Sequence, residues 1–152
     1  MKTVFATLAA SSALLFPLAG YGQMGMMAGG GMMNMSGRQR IARQNGIGPG
    51  YAAKANPLAP TAGNIAEGKL LYQKNCALCH GRTGRGDGEA GRAMNPPPAD
   101  IAASSKLPMA SDGYLYWTVA EGGVPLGTAM PPFKSTLKAD EIWKILIYLR
   151  SL

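Results

Sequence analysis

The chain is 152 residues long, 47% apolar and formally +7, with 15 Lys and Arg against 8 Asp and Glu. That length suits one small domain with accessory segments and excludes a large multidomain enzyme. Residues 64–152 hold ten basic and eight acidic side chains, too small an excess to neutralise several phosphates, which argues against nucleic acid as a partner.

The first 22 residues read as a secretory signal. Lys2 is a short positive start, Val4 to Leu18 is apolar or small, and Ala19, Gly20 and Gly22 supply small residues for cleavage. The apolar run is shorter than the roughly 20 residues that span a bilayer, and Ser11, Ser12 and Pro17 interrupt it. Export to the periplasm and cleavage near residues 19–23 are expected. The alternative is an uncleaved anchor that holds the protein on the inner membrane, facing the periplasm.

Residues 23–63 contain six methionines, nine glycines and a single aromatic, Tyr51. So little side chain offers scant return for ordering a backbone, and the segment is expected to be a disordered linker. Its methionines could hold a soft ion such as Cu(I), but a low-complexity spacer accounts for them more simply. Arg38, Arg40, Arg43 and Lys54, with no acidic residue, make it basic.

The folded part begins with a helix. Ile65, Gly68, Tyr72 and Cys76 recur at helical spacing, with Asn64 as the expected N-cap. The helix leads into Cys76-Ala77-Leu78-Cys79-His80, which contains both cysteines and the one histidine of the chain. C-x-x-C-H is the attachment signature of c-type haem: one helical turn offers two thiols to two vinyl groups and aims the next side chain at the iron. A structural zinc site needs four donors, and this chain has three Cys and His in total. A redox dithiol should follow a strand, and a disulfide across two residues would leave His80 unexplained.

Gly81 to Pro98 is rich in Gly and Pro without a sustained period and reads as a loop around the haem edge. Ser111-Asp112 signals the start of a middle helix over Tyr114 to Glu121, which Gly122-Gly123 ends. Next comes Gly127-Thr128-Ala129-Met130-Pro131-Pro132-Phe133, where two prolines stiffen the chain behind a thioether. With no second histidine, Met130 is the leading sixth ligand; Met94, Met109 and an open site are the alternatives. Ile142, Ile145, Leu146 and Leu149 then form the stripe of an amphipathic last helix, with Asp140 and Glu141 at its start and Arg150 at its end.

These motifs, with Pro96-Pro97-Pro98-Ala99-Asp100 and the last helix bearing Tyr148, resemble class I cytochromes c, closest to small exported bacterial monohaem members. The resemblance covers residues 64–152. It implies an all-α fold of about three to five short helices around one covalent haem c, with the first and last helices meeting at Gly68 and Tyr148. It implies Cys76 and Cys79 as haem attachments and His80 and Met130 as axial iron ligands. Lys138 departs from the Ser or Thr cap common in this family. The implied activity is one-electron transfer between periplasmic or membrane redox partners, such as an oxidase or dehydrogenase, without catalysis of its own. The alternatives are a tethered haem subunit of such a complex, or a gas-binding or peroxidatic protein if Met130 is not a firm ligand. Pro97, Tyr116 and Phe133 are expected at the haem edge, and Trp117 and Trp143 are either propionate donors or ordinary core.

Overall fold

The computed structural model describes residues 37–152. The expected leader and the methionine tract at 24–35 lie outside them. Among the described residues the chain forms helices and turns and no strand. Helix α1 spans Gly37–Asn45, α2 Pro49–Ala52, α3 Ala62–Asn75, α4 Ala77–His80, α5 Ile101–Ser104, α6 Asp112–Glu121 and α7 Ala139–Ser151. Single 3-10 turns occur at Ala90–Ala93 and Val124–Leu126. The all-α expectation holds.

Each main helix starts where a side chain can take up a free backbone N–H. Thr61, not Asn64, caps α3: its Oγ1 accepts from the Asn64 N–H at 3.2 Å. Asn64 lies inside the first turn and donates from Nδ2 to the Ala59 carbonyl at 2.8 Å, so two good capping residues divide the work. Ser111 caps α6 as expected, accepting from the Tyr114 N–H at 3.1 Å. At α7, the Lys138 ammonium has no lone pair to offer, and the Glu141 carboxylate instead reaches back to the Lys138 N–H at 2.7 Å. That is half of a capping box, and it places a negative charge in the first turn, where the helix dipole favours it.

The core is built on α7, whose Ile142, Ile145 and Leu146 are almost wholly shielded from solvent. Helix α3 crosses it at Gly68, where a Cβ would run into the Lys144 carbonyl and stand 3.1 Å from Tyr148 Cβ. Beside the crossing, the Tyr72 and Tyr148 rings lie 5.3 Å apart. Lys144 closes its solvent side, with Nζ 2.6 Å from Glu67.

The disordered linker expected over 23–63 does not describe residues 37–63. Helices α1 and α2 and the chain that follows them form a strap along α6. Ile47, Tyr51 and Leu58 pack on the core. The Asn56 N–H donates to Asp112 Oδ2 at 2.9 Å, and its Nδ2 donates to the Trp143 carbonyl at 3.2 Å. The composition argument asked whether this segment could build a core of its own. It has no need to, because it docks on the apolar surface that α6 and α7 already provide.

Candidate functional site

The Cys76 to His80 turn is a second, tighter start after α3 ends. Cys76 leaves helical geometry (φ −122°, ψ −33°), its N–H still donating to the Tyr72 carbonyl at 2.8 Å, and its own carbonyl accepts from the His80 N–H at 2.9 Å. Cys79 and His80 thus lie one turn on from Cys76, and Gly81 (φ 77°) breaks the helix immediately afterwards. Both cysteines are free thiols, half-buried. Burial, and secondarily Cys79, pushes the Cys76 thiol up to about 12, so it is a neutral thiol within the folded chain.

His80 is fixed by the loop that returns beneath it. Its Nδ1 lies 3.1 Å from the Ala99 carbonyl, which assigns the ring proton to Nδ1 and leaves the lone pair on Nε2. Burial lowers the imidazole pKa, a backbone hydrogen bond to Ala99 opposing it, so the neutral ring is favoured. The expected 81–98 loop is present, carrying one 3-10 turn, and it is sewn to the cysteine turn. Gly86 N–H donates to the His80 carbonyl at 2.9 Å and Gly88 N–H to the Cys79 carbonyl at 3.2 Å. Gly91 has no room for a side chain, since a Cβ would strike that same Cys79 carbonyl and lie 2.7 Å from the Pro98 ring. Tyr72, fully buried, donates its hydroxyl to the Gly81 carbonyl at 2.7 Å and locks the first residue of the loop.

Met130 belongs to a second loop, hung from the end of α6. The Gly123 N–H donates to the Met130 carbonyl at 2.7 Å, and the Thr128 N–H donates to the Gly123 carbonyl at 3.1 Å. Beyond the two prolines, the Phe133 and Lys134 N–H groups donate to Val119 and Ala120 at 3.2 and 3.1 Å. The main chain on both sides of Met130 is therefore fixed, and the side chain is half-buried. Met94 and Met109 are also half-buried, on separate segments.

The aromatic expectations divide. Trp143 is core, 6% exposed, with its ring 4.4 Å from that of Tyr116. Tyr116 faces the strap, with Lys54 Nζ 5.2 Å from its ring and the Tyr51 ring 6.2 Å away. Trp117 lies under the Arg38 guanidinium at 4.7 Å. Phe133 packs against the core cluster.

Two free thiols one turn apart, followed by an imidazole with a single uncommitted nitrogen, fit covalent haem. They fit little else, and among the described residues no cluster of three or more His, Cys, Asp and Glu could hold a metal ion. Sequence reasoning found the motif and missed what orients it. Ala99 acts through a backbone carbonyl and carries no side-chain signal. Tyr72, one helical turn before Cys76, could have been found by spacing.

Residues 63–149 match the family model described as cytochrome c oxidase, cbb3-type, subunit III. Among curated proteins, the chain is 31% identical over 103 residues to a cbb3-type cytochrome c oxidase subunit CcoP of Azospirillum sp. (strain B510), covering 67% of this chain and 33% of that protein. It is 26% identical over 122 residues to the CcoP of Azospirillum brasilense, covering 79% of this chain and 40% of that one. A quinohemoprotein alcohol dehydrogenase, ADH IIB of Pseudomonas putida, is 28% identical over 149 residues, 88% of this chain and 20% of its own length. The chain thus spans a minor part of the curated relatives it matches. Among solved structures, a chain of the reducing HAO-like protein complex of Kuenenia stuttgartiensis aligns with a TM-score of 0.53 and 31% identity, over 62% of this chain and 46% of that one.

Proposed function

We propose that this chain, which belongs to the cbb3-type cytochrome c oxidase subunit III family, is a one-electron carrier whose covalent haem c is held by Cys76, Cys79, His80 and Met130. The observation that carries the reading is the His80 ring, whose Nδ1 is committed to Ala99 while Nε2 is left as the donor. The haem supplies the Fe(III)/Fe(II) couple when bound, and every other task falls to the chain. Cys76 and Cys79 tether the macrocycle through thioethers. The His80–Ala99 hydrogen bond fixes the ring plane and raises the basicity of Nε2. Met130 provides a thioether from a loop whose main chain is pinned on both sides, which a weak donor requires. With His80 and Met130 both serving as iron donors the protein would leave no place for a substrate, in keeping with electron transfer without catalysis.

Relatives named as an oxidase subunit and a quinohemoprotein dehydrogenase support a redox partner that is itself a larger oxidoreductase assembly. The setting is the periplasm, reached through the leader at 1–22, and a retained leader would make the protein a membrane-tethered haem subunit. Among the described residues no helix is long and apolar enough to cross a membrane.

The test is an optical spectrum of the exported holoprotein, oxidised, reduced, and reduced under carbon monoxide. A low-spin reduced form that ignores carbon monoxide, and a Met130→Ala variant that binds it, are the expected results. Ready carbon monoxide binding by the unmodified protein would replace electron transfer with a gas-binding or peroxidatic role.

A further inference from the structure

The strap over residues 37–58 bears on the short stretch from which the Met130 loop hangs. Arg38 donates through Nη2 to the Gly122 carbonyl while its guanidinium covers the Trp117 ring. The Tyr51 hydroxyl donates to Glu121 Oε1, and the other oxygen of that carboxylate accepts from Lys134 Nζ at 2.7 Å. The strap lies so close that Gly113 has no room for a side chain, since a Cβ would be 3.1 Å from the Tyr51 carbonyl carbon and nearer still to its oxygen. Residues 121–123 are thus gripped from one side by the strap. From the other side they carry the loop, through the Gly123 N–H on the Met130 carbonyl at 2.7 Å.

Stability alone does not account for Arg38. Burial lowers its pKa, and its Nη1 is buried without a hydrogen-bond partner among the described residues. A cation withdrawn from water and incompletely paired stabilises a fold little. Residues 37–58 also lie outside the stretch that matches the family model, so the strap is an addition to the matched domain.

We infer that the strap positions the distal loop: Arg38 and Tyr51 hold the Glu121–Gly123 turn, and through it the main chain of Met130, where the thioether can serve as axial donor. This rests on the assignment of Met130 made above. Because a thioether is a weak iron ligand, a small slackening of its loop is enough to lose it.

The experiment uses the full-length exported holoprotein and its Arg38→Ala, Tyr51→Phe, Asn56→Ala and Met130→Ala variants, with carbon monoxide added to each reduced form as the probe. In Arg38→Ala, carbon monoxide affinity rises by at least about tenfold, the scale set by losing a hydrogen bond to a charged group. Tyr51→Phe gives a smaller rise. Asn56→Ala removes the side-chain hydrogen bond to the Trp143 carbonyl at the far end of the strap and leaves the main-chain bond to Asp112, lowering the melting temperature without opening the iron. Amide exchange at Gly123 quickens in Arg38→Ala and not in Asn56→Ala.

If Arg38→Ala and Tyr51→Phe stay closed to carbon monoxide while Met130→Ala opens, the strap has no positioning role and the Met130 assignment stands. If the unmodified protein binds carbon monoxide freely, or Met130→Ala changes nothing, the Met130 assignment fails and takes this inference with it. Equal opening in all three strap variants would mean general loosening and would overturn the positioning role. Should Arg38→Ala not fold, Tyr51→Phe, which removes one oxygen, carries the test.

Discussion

Gly68 and Lys144 meet backbone to backbone: the Lys144 carbonyl on α7 occupies the space a side chain at Gly68 on α3 would need. The two longest helices can approach this closely only because one contributes no Cβ at the crossing. Tyr148 and Tyr72 fill the flank.

Gly68→Ala therefore forces the helices apart and is expected to destabilise the holoprotein by about 2–3 kcal/mol, in the range of an overpacked core. Denaturant unfolding checks this. A midpoint equal to that of the parent would show that α7 can shift without cost.

Arg150 ties the end of α7 to the chain before α6. Its Nη1 donates to the Ser105 carbonyl at 3.1 Å, and its Nη2 to the Ala110 carbonyl and Asp112 Oδ1, both at 2.8 Å. Arg150→Ala should cost about 1–2 kcal/mol, the Asp112 pair contributing least because both side chains are partly in water. Arg150→Lys should recover less than half, since an ammonium cannot span three acceptors as a planar fork does. Full recovery by lysine in thermal unfolding would show that charge alone matters.

Glu121 confers an acid-sensitive term on stability. Hydrogen bonds from Lys134 and Tyr51 hold its carboxyl below the ordinary range, while the same contact pushes Tyr51 up to about 12. A carboxylate whose pKa is lower folded than unfolded stabilises the fold above its unfolded value, and that contribution is lost as pH falls through the folded one. Glu121→Gln should thus be less stable than the parent at neutral pH, with the gap closing towards acid. Melting temperatures across pH 2 to 7 test it, and a gap of constant size would remove the electrostatic explanation.

The two thiols make separable contributions. Cys76→Ala and Cys79→Ala should each retain haem through the remaining thioether when unfolded in denaturant, and the double variant should release it. Intact-protein mass measured under denaturing conditions reads the outcome. Loss of haem from either single variant would mean that only one bond forms.

The sequence showed most plainly what depends on local spacing. Cys76 to His80 is a single turn, the Ile142 to Leu149 stripe repeats at helical period, and Ser111 sits directly before its helix. Contacts made at long range left weaker traces. Arg38 looked like one of four charges in a glycine-rich tract because Gly122 and Trp117, which receive it, lie far along the chain. Helix α5 was missed although Asp100 caps it, its Oδ1 accepting from the Ala103 N–H at 2.9 Å, because four residues are too few to show a period. At α3 the spacing pointed to Asn64 as the cap, and the folded geometry gives that role to Thr61, three residues earlier.

The hydrogen bond from Gly123 engages the carbonyl of Met130 and leaves its side chain out of the framework. Phe133 and Lys134, just beyond, are likewise held by their main-chain N–H groups. The scaffold thus specifies a location and stays indifferent to what residue 130 carries. If Met130 is the iron donor proposed above, a different donor at that position would inherit the same address, and the chemistry at the iron could be exchanged one side chain at a time while the loop that presents it keeps its shape.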